Sequence, residues 1–196
     1  MRGRIRLHPL AAGLPAPLAL DGAAGQHLWW PLAPCARVEV DLDRPGWHWR
    51  GSGYLDSNRG AVPITQGFRQ WQWGRAALDG RHSLVQYDAT LADGAASSLA
   101  LQFDARGHCH ALLSPPPVQA LPASGWRVPR SVRCEPGGAA HVLHTLQDAP
   151  FYARSLVQTQ WQGRTVPVLH GSLQLQRLST PWVQAMLPFR MPRRTG

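Results

Sequence analysis

The stretch that decides the fold is "CARVEVDL", residues 35–42, because its side chains alternate between apolar and charged. Val38 and Val40 alternate with Arg37, Glu39 and Asp41. Successive side chains of a β-strand point to opposite faces, so this period of two predicts a strand with one buried face. The same rhythm returns in "FRQWQWGRAAL" (68–78), "HSLVQYDATL" (82–91), "SSLALQFDARG" (97–107), "HCHALL" (108–113), "SGWRVPRSVRCE" (124–135), "AAHVLHTL" (139–146), "YARSLVQTQW" (152–161) and "TVPVLHGSLQLQRL" (165–178).

Turn sequences separate these runs and predict an all-β, antiparallel fold. Between the runs stand "LDG", "ADG", "ARG", "PGG" and "WQGR", whose residues tolerate the positive φ that hairpin turns require. Strands spaced about ten residues apart and joined by tight turns indicate a sheet meander or a barrel. The only helix we predict is a short one near "TPWVQAMLPF", with Thr180 as its cap and Pro181 at its first position.

The chain has 196 residues and a formal net charge of +9, and all its basic residues are arginines. Such a charge favours contact with nucleic acid or with an anionic membrane surface. The arginines are scattered, however, and the aromatic residues follow strand periods instead of being interleaved with them, so we expect no nucleic-acid partner. The basic ends "MRGRIR" and "FRMPRRTG" are predicted to be solvated tails or weak peripheral membrane contacts.

Several other classes of protein are disfavoured. The three cysteines have no metal-ligand spacing, which argues against disulfides and a zinc site. His108 and His110 share a strand face, but no third metal ligand is apparent. There is no apolar run long enough to span a membrane, no phosphate-binding loop and no serine-hydrolase elbow. We therefore expect a cytoplasmic protein.

Tryptophan is abundant, with nine copies, and several are neighbours in strand register. Trp47 and Trp49 share one strand face, as do Trp71 and Trp73. If both pairs face one interior, they line a wide apolar space. They either fill a barrel core or form the wall of a ligand cavity, and both use the same inward-facing positions.

Polar residues lie among these aromatics in "GSGYLDSNRG", residues 51–60. Tyr54 and Asp56 point the same way if the segment is extended. A carboxyl group held against tryptophan faces loses solvation, which raises its pKa and makes it a general acid. Alternatively, Asp56 and Asn58 are turn formers that cap backbone amides. His27, beside "LWW", is either a further site residue or a buried, hydrogen-bonded histidine.

Five blocks of the chain resemble the carotenoid 1,2-hydratases, also called hydroxyneurosporene synthases, in order and approximate spacing. They are "QHLWWPLAPCARVEVDL" (26–42), "WHWRGSGYLDSNRG" (47–60), "FRQWQWGRA" (68–76), "DAPFYARSLVQT" (148–159) and "TPWVQAMLPFRMPRR" (180–194). The resemblance covers essentially the whole chain. It implies lipocalin-like β-barrel domains and the addition of water to the terminal C1=C2 double bond of acyclic carotenoids such as neurosporene or lycopene. It implies no metal, nucleotide or flavin cofactor.

The resemblance also implies roles for particular residues. Protonated Asp56 would deliver a proton to C2, and water would capture the tertiary cation at C1. Tyr54 and His27 would orient Asp56 or the water, one of them as the base, and the face of Trp29 would stabilise the cation. The remaining aromatic and amide candidates would bind substrate: Trp30, Trp49, Asn58, Trp71 and Trp73. Arg75 and Arg154 are expected to be structural.

Members of this family are longer on the N-terminal side and are built from two barrel domains. The resemblance therefore divides the chain into residues 1–45, the end of a first barrel or a connection, and residues 46–196, a lipocalin-like barrel. A missing N-terminal domain would remove part of the pocket wall. The alternatives to a hydratase are a non-catalytic carrier of carotenoids or other apolar ligands and an inactive fragment. The glycine at 171 and Gln176 replace residues that tend to be acidic in the family.

Overall fold

Residues 1–189, which are those that the computed structural model describes, form thirteen β-strands and only short helices. The strands are β1 (Arg2–Pro9), β2 (Leu18–Ala19), β3 (His27–Arg44), β4 (Trp47–Gly60), β5 (Phe68–Ala77), β6 (His82–Leu91), β7 (Ala96–Asp104), β8 (Cys109–Ala111), β9 (Val118–Leu121), β10 (Arg130–Arg133), β11 (His141–Ala149), β12 (Tyr152–Trp161) and β13 (Arg164–Gln174). The helices are a 3-10 turn at Gly22–Ala24 and α1 (Ile64–Gly67), α2 (Leu175–Leu178) and α3 (Pro181–Met186).

The antiparallel all-β prediction is confirmed. Seven strands form one sheet in the order β11-β12-β13-β5-β6-β7-β8, and both of its edges stay open within residues 1–189. A second sheet is built on β3, which pairs with β4 along one edge and with β1 and β2 along the other. Strands β9 and β10 form a separate hairpin. Every pairing is antiparallel, as the tight turns between the runs require.

The two faces of the seven-stranded sheet are covered by different elements. The second sheet covers one face, and their shared core includes Trp29 of β3, Phe68 of β5 and Phe103 of β7. The β9–β10 hairpin covers the other face through a core that includes Val132 and Val157. The chain thus has three layers, and the space between the first two holds the polar candidates of β4.

The alternative interpretation of Asp56 and Asn58 as turn formers is wrong. "GSGYLDSNRG" is not a turn between strands, because all ten of its residues lie inside β4, which pairs with β3. Its glycines serve close packing: a Cβ added at Gly53 would meet Leu7 and Val38 at 3.3 Å. Asp56 therefore caps no turn. Its side chain lies on the face of β4 that is turned toward the seven-stranded sheet.

The short helix at Pro181–Met186 begins where the sequence predicts. Thr180 occupies its N-cap position and Pro181 its first turn, but the Thr180 hydroxyl donates to the carbonyl of Arg177 instead of capping the helix. The basic end "FRMPRRTG" lies outside the described residues from position 190 onward. No helix within residues 1–189 combines the length and the apolar character needed to cross a bilayer.

The predicted division at residues 45 and 46 falls in the turn between β3 and β4. The strands on its two sides pair over most of their length, from His27 with Gly60 to Leu42 with Trp47. Residues 1–45 also contribute Leu20, Trp29 and Cys35 to the core shared with the larger sheet. The division into two domains stays a prediction about a longer protein.

Candidate active site

The β3–β4 ladder brings Trp29 beside Asp56. Trp29 pairs with Asn58, and Pro31 pairs with Asp56, so the indole lies diagonal to the carboxyl group on the same face. Irregular register after Pro31 bends β3 over the larger sheet. Trp29 is fully buried there, whereas Asp56 is half-buried and Asn58 is exposed. The site therefore has a closed inner end and an open outer end.

Asp56 is held by two donors on a single oxygen. The indole Nε1 of Trp29 donates to Oδ2 at 2.7 Å, and the hydroxyl of Tyr54 donates to the same oxygen at 2.9 Å. Among the described residues, none donates a hydrogen bond to Oδ1. Both donors are electrically neutral, so they fix the orientation of the carboxyl group without neutralising a charge on it. The arrangement leaves Oδ1 as the oxygen that can meet a ligand.

Aromatic rings surround this carboxyl group. The ring of Tyr54 lies 5.6 Å from that of Trp73, and Tyr87 makes edge contacts with Trp29 at 5.2 Å and Trp71 at 6.1 Å. Trp71 and Trp73 are half-buried, so parts of their rings can contact a ligand. Both tryptophans thus lie beside the tyrosines of the candidate site, and their role in binding substrate stays a prediction.

Burial raises the pKa of both tyrosine hydroxyls well above the ordinary range, and the nearby negative charge of Asp56 raises it further. Tyr54 and Tyr87 therefore stay protonated at neutral pH. Tyr54 can donate its proton in a hydrogen bond to Asp56, but it is poorly suited to act as a base. The hydroxyl of Tyr87 lies 3.5 Å from Oδ1 of Asn58, at the limit of a hydrogen bond.

His27 occupies a different place. Its Nδ1 lies 3.2 Å from Oδ2 of Asp21, and its ring packs edge-on against Phe68 at 5.0 Å. Burial alone would raise the pKa of Asp21, but hydrogen bonds from the His27 side chain and from backbone amides lower it overall. His27 pairs with Gly60, four positions after Asp56, and among residues 1–189 no hydrogen bond joins its side chain to Asp56. A buried, hydrogen-bonded environment of this kind is typical of a histidine with a structural role.

Two of the predicted substrate-binding tryptophans point away from Asp56. Trp49 is 51 % exposed on the opposite face of β4, and Trp47 lies beside it on that face. The indole of Trp30 also points outward and donates to the carbonyl of Leu14 at 2.7 Å. The two tryptophan pairs thus do not face one interior, because β4 turns its even-numbered side chains toward the larger sheet.

Sequence reasoning missed Tyr87 and assigned Arg75 only a structural role. Arg75 donates to the hydroxyl of Ser52 at 2.8 Å and to the carbonyl of Gly53 at 3.2 Å, and its guanidinium lies 5.9 Å from the ring centre of Tyr54. It therefore ties β5 to β4 immediately beside the site. Tyr87 is buried in the alternating run "HSLVQYDATL", where its strand parity is that of core residues such as Val85.

Comparison with known proteins identifies the family. The model of the family described as carotenoid hydratase CrtC matches residues 1–196. The chain belongs to the carotenoid hydratase CrtC family. Two relatives named acyclic carotenoid 1,2-hydratase, from Thiocapsa roseopersicina and Rubrivivax gelatinosus, are 48 % and 42 % identical over 100 % and 99 % of this chain. A third with the same name, from Rhodobacter capsulatus, is 39 % identical over 100 % of it.

This member of the CrtC family spans about half the length of the first two relatives, since it covers 48 % and 47 % of them, and 68 % of the third. A crystal structure assigned to AttH, from Nitrosomonas europaea, is similar over 88 % of this chain and 58 % of its own, with a TM-score of 0.54 and 16 % identity. That likeness supports the lipocalin-like, antiparallel fold and nothing further.

The candidate site holds no apparent metal centre. In the part of the chain from residue 1 to 189, no three histidine, cysteine or acidic side chains lie close enough together to bind a metal ion. The groups around the carboxyl group of Asp56 are the phenols of Tyr54 and Tyr87 and several indoles.

Proposed function

We propose that the chain adds water to a carbon–carbon double bond of an acyclic carotenoid and that Asp56 is its proton donor. The observation that carries the proposal is the carboxyl group of Asp56, oriented by Trp29 and Tyr54 among aromatic rings. Membership of a hydratase family along the whole chain supports the class of reaction. The terminal C1=C2 bond of neurosporene or lycopene is the substrate bond we propose.

The reaction needs one acid and one water molecule. In the protonated carboxyl group, Oδ2 is the carbonyl oxygen that accepts from both neutral donors, and Oδ1 carries the proton. The O–H bond at Oδ1 breaks while a C–H bond forms at C2, which leaves a tertiary cation at C1. Water then forms a C–O bond at C1 and releases a proton that restores the carboxyl group. No oxidant, reductant or further reactant is consumed.

The site's own residues favour this assignment of roles. Tyr54 keeps its proton because its pKa is raised, so the carboxylate of Asp56 is the better acceptor of the proton that water releases. Trp29 is fully buried with its N–H on Asp56, whereas Trp71 and Trp73 keep part of their rings accessible. We therefore assign stabilisation of the cation to the accessible rings. A desolvated cation–π contact of about 2 kcal/mol gives roughly thirtyfold in rate if it acts only on the transition state.

Isotope incorporation tests the proposal. The chain is incubated with lycopene or neurosporene in detergent micelles, in heavy water or in water enriched in oxygen-18, and the products are analysed by mass spectrometry. The expected product has gained one water, with one deuterium on carbon and one labelled oxygen. A carrier would shift the absorption spectrum of the bound polyene without forming any product, and that result would overturn the proposal.

A further inference from the structure

Arg75 places a positive charge beside the candidate site without a carboxylate to balance it. Its side chain is half-buried on β5, and no acidic residue within residues 1–189 forms an ion pair with it. Burial lowers the pKa of Arg75, because the guanidinium group loses contact with water. Desolvating an unpaired cation costs free energy, so packing alone does not account for an arginine at this position.

Two other arginines with little exposure show how a structural arginine is bonded in this chain. Arg133 donates to both carboxylate oxygens of Asp88, at 3.1 Å and 3.0 Å. Arg130 donates four hydrogen bonds, two to backbone carbonyls and two to hydroxyl groups. Arg75 donates only from Nη2, and its buried Nε has no partner among the described residues. Its guanidinium group is therefore the least completely bonded of the three.

The contacts that Arg75 does make converge on Tyr54. Its Nη2 donates to the hydroxyl of Ser52 at 2.8 Å and to the carbonyl of Gly53 at 3.2 Å, and these are the two residues that precede Tyr54 in β4. Its guanidinium group also lies 5.9 Å from the centre of the Tyr54 ring. The hydroxyl of Tyr54 donates to Oδ2 of Asp56 at 2.9 Å. A continuous series of contacts thus runs from Arg75 through Tyr54 to Asp56.

A cation beside a phenol makes the phenol a stronger hydrogen-bond donor. The charge of Arg75 attracts the negative charge that an ionised Tyr54 oxygen carries. The same attraction favours the partial negative charge that this oxygen gains when its hydroxyl group donates. A hydrogen bond to a carboxylate is stronger than one to a neutral carboxyl group. The contribution of Arg75 therefore grows as Asp56 loses its proton.

We propose that Arg75 is a positioning residue for proton transfer. Acting through Tyr54, it stabilises the carboxylate that Asp56 becomes when Oδ1 gives its proton to the double bond. No bond to Arg75 forms or breaks. This inference rests on the proposed function, because it assigns Arg75 a part in that reaction. The carboxylate develops in the transition state and is absent while substrate is bound, so the effect should fall on kcat and leave KM unchanged.

Arg154 provides a matched control within the same chain. Its guanidinium group lies 5.8 Å from the centre of the Tyr152 ring, and its Nε donates to the Tyr152 hydroxyl at 2.8 Å. Arg154 is exposed on β12, and within residues 1–189 the Tyr152 hydroxyl donates to no acidic side chain. Arg154→Gln therefore removes an arginine–tyrosine contact of the same kind that does not lead to a carboxyl group.

A double-mutant cycle on carotenoid hydration tests the inference. Arg75→Gln should lower kcat about tenfold and leave KM within about twofold. Arg75→Lys keeps the charge and should retain kcat within about threefold. In a Tyr54→Phe background the hydroxyl group is gone, so Arg75→Gln should change kcat by less than about twofold. Arg154→Gln should leave kcat unchanged.

A second measurement does not depend on turnover. The chain is produced with carbon-13 in its aspartate carboxyl groups, and the NMR signal of Asp56 is identified by its loss in Asp56→Asn. Tyr54→Phe removes a donor to this carboxyl group and should move the signal. Arg75→Gln should move the signal in the same direction, and it should move it no further in the Tyr54→Phe background. Arg154→Gln should leave the signal in place.

Three results would overturn the inference. The first is an equal loss of kcat from Arg75→Gln with and without the Tyr54 hydroxyl, which would show that Arg75 does not act through Tyr54. The second is a loss with Arg75→Lys as large as that with Arg75→Gln, which would leave Arg75 only its tie to β4. The third is a carboxyl signal that Arg75→Gln does not move.

The two proposals can fail separately. Absence of product with the wild type would contradict the proposed hydration, whereas the carboxyl signal would still show whether Arg75 acts on Asp56 through Tyr54. Thermal melting verifies that each variant is folded. Arg75→Met keeps the apolar stem of the side chain and replaces Arg75→Gln in both measurements if the glutamine variant does not fold.

Discussion

His170 gives the chain an acid sensitivity that one substitution removes. This side chain on β13 is 1 % exposed, and its Nε2 donates to the carbonyl of Ser131 at 2.8 Å. Its Nδ1 is buried without a partner among the described residues. Burial lowers the pKa of His170 from 6.5 to about 4, although the Ser131 carbonyl favours the protonated ring, and the nearby Arg130 charge lowers it further.

The sign and size of the effect follow from the two pKa values. Between pH 6.5 and about 4 the unfolded chain binds a proton at His170 and the folded chain does not. The free energy of unfolding therefore falls as the pH falls, by up to about 1.4 kcal/mol per pH unit. Across the whole interval His170 accounts for a loss of about 3 kcal/mol.

The assay is urea unfolding of the wild type and of His170→Gln at about pH 7 and about pH 4.5. Glutamine can donate an amide N–H toward Ser131 but does not titrate, so the variant should lose less stability on acidification by about 2 kcal/mol. His144→Gln, at an exposed position on β11, is the matched control and should behave as the wild type. Equal losses in the wild type and in His170→Gln would refute the reasoning.

Three further predictions concern the site and its surroundings. Because burial and then the charge of Asp56 raise the pKa of the Tyr54 and Tyr87 hydroxyls, two of the three tyrosines should stay protonated past about pH 10. Tyrosinate absorbance measures this, and ionisation of all three before unfolding would contradict it. Tyr54→Phe removes the 2.9 Å bond to Asp56 and should lower the free energy of unfolding by about 1 kcal/mol in urea. Asp88→Ala leaves the largely buried Arg133 without its 3.0 Å partner and should cost about 3 kcal/mol in the same measurement; a cost below about 1 kcal/mol would show that the pair contributes little.

Local patterns in the sequence predicted the long strands of the larger sheet. They did not predict β1, because "MRGRIR" was expected to be a solvated tail or a membrane contact and instead pairs with β3. The alternation of "CARVEVDL" indicates which side chains share a face, and β3 has this regular alternation from Val38 to Leu42. The proximity of Tyr54 and Asp56 was also predictable, because two residues separated by one in a strand lie on the same face. Family resemblance supplied Trp29, whose contact with Asp56 joins residues 27 positions apart.

Which side chains of β4 reach the candidate site depended on which layer of the fold lies opposite each face of the strand. The parity of β4 is visible in the sequence, but the layer that its even-numbered residues meet is set by how β3 bends over the larger sheet. This is why Trp49 was predicted to bind substrate and is found, together with Trp47, on the face of β4 that is turned away from the seven-stranded sheet. The glycines of "GSGYLDSNRG" resembled those of a turn. Gly53 is instead favoured because Leu7 and Val38 approach it closely in the folded chain, and the sequence alone does not show that contact.

His27 and Tyr87 illustrate the same limit. His27 stands next to the tryptophans in the chain, yet its partner is Asp21, on the loop that precedes β3. Tyr87 reaches the site from β6 because β6 is the neighbour of β5, and that neighbour relation brings its ring to Trp29 and Trp71. Contacts between strands that are far apart along the chain cannot be predicted from a local pattern in the sequence.

The most direct test of the central claim compares Asp56→Asn with Asp43→Asn in carotenoid hydration. Asp43 is an exposed carboxyl group of β3, so its substitution makes the same chemical change away from the site. Asparagine at position 56 keeps an oxygen for Trp29 and Tyr54 but has no acidic proton to give. We expect the hydrated product with wild type and Asp43→Asn and none with Asp56→Asn, while all three bind the polyene equally. Product formation by Asp56→Asn at the wild-type rate would contradict the assignment of Asp56 as the proton donor.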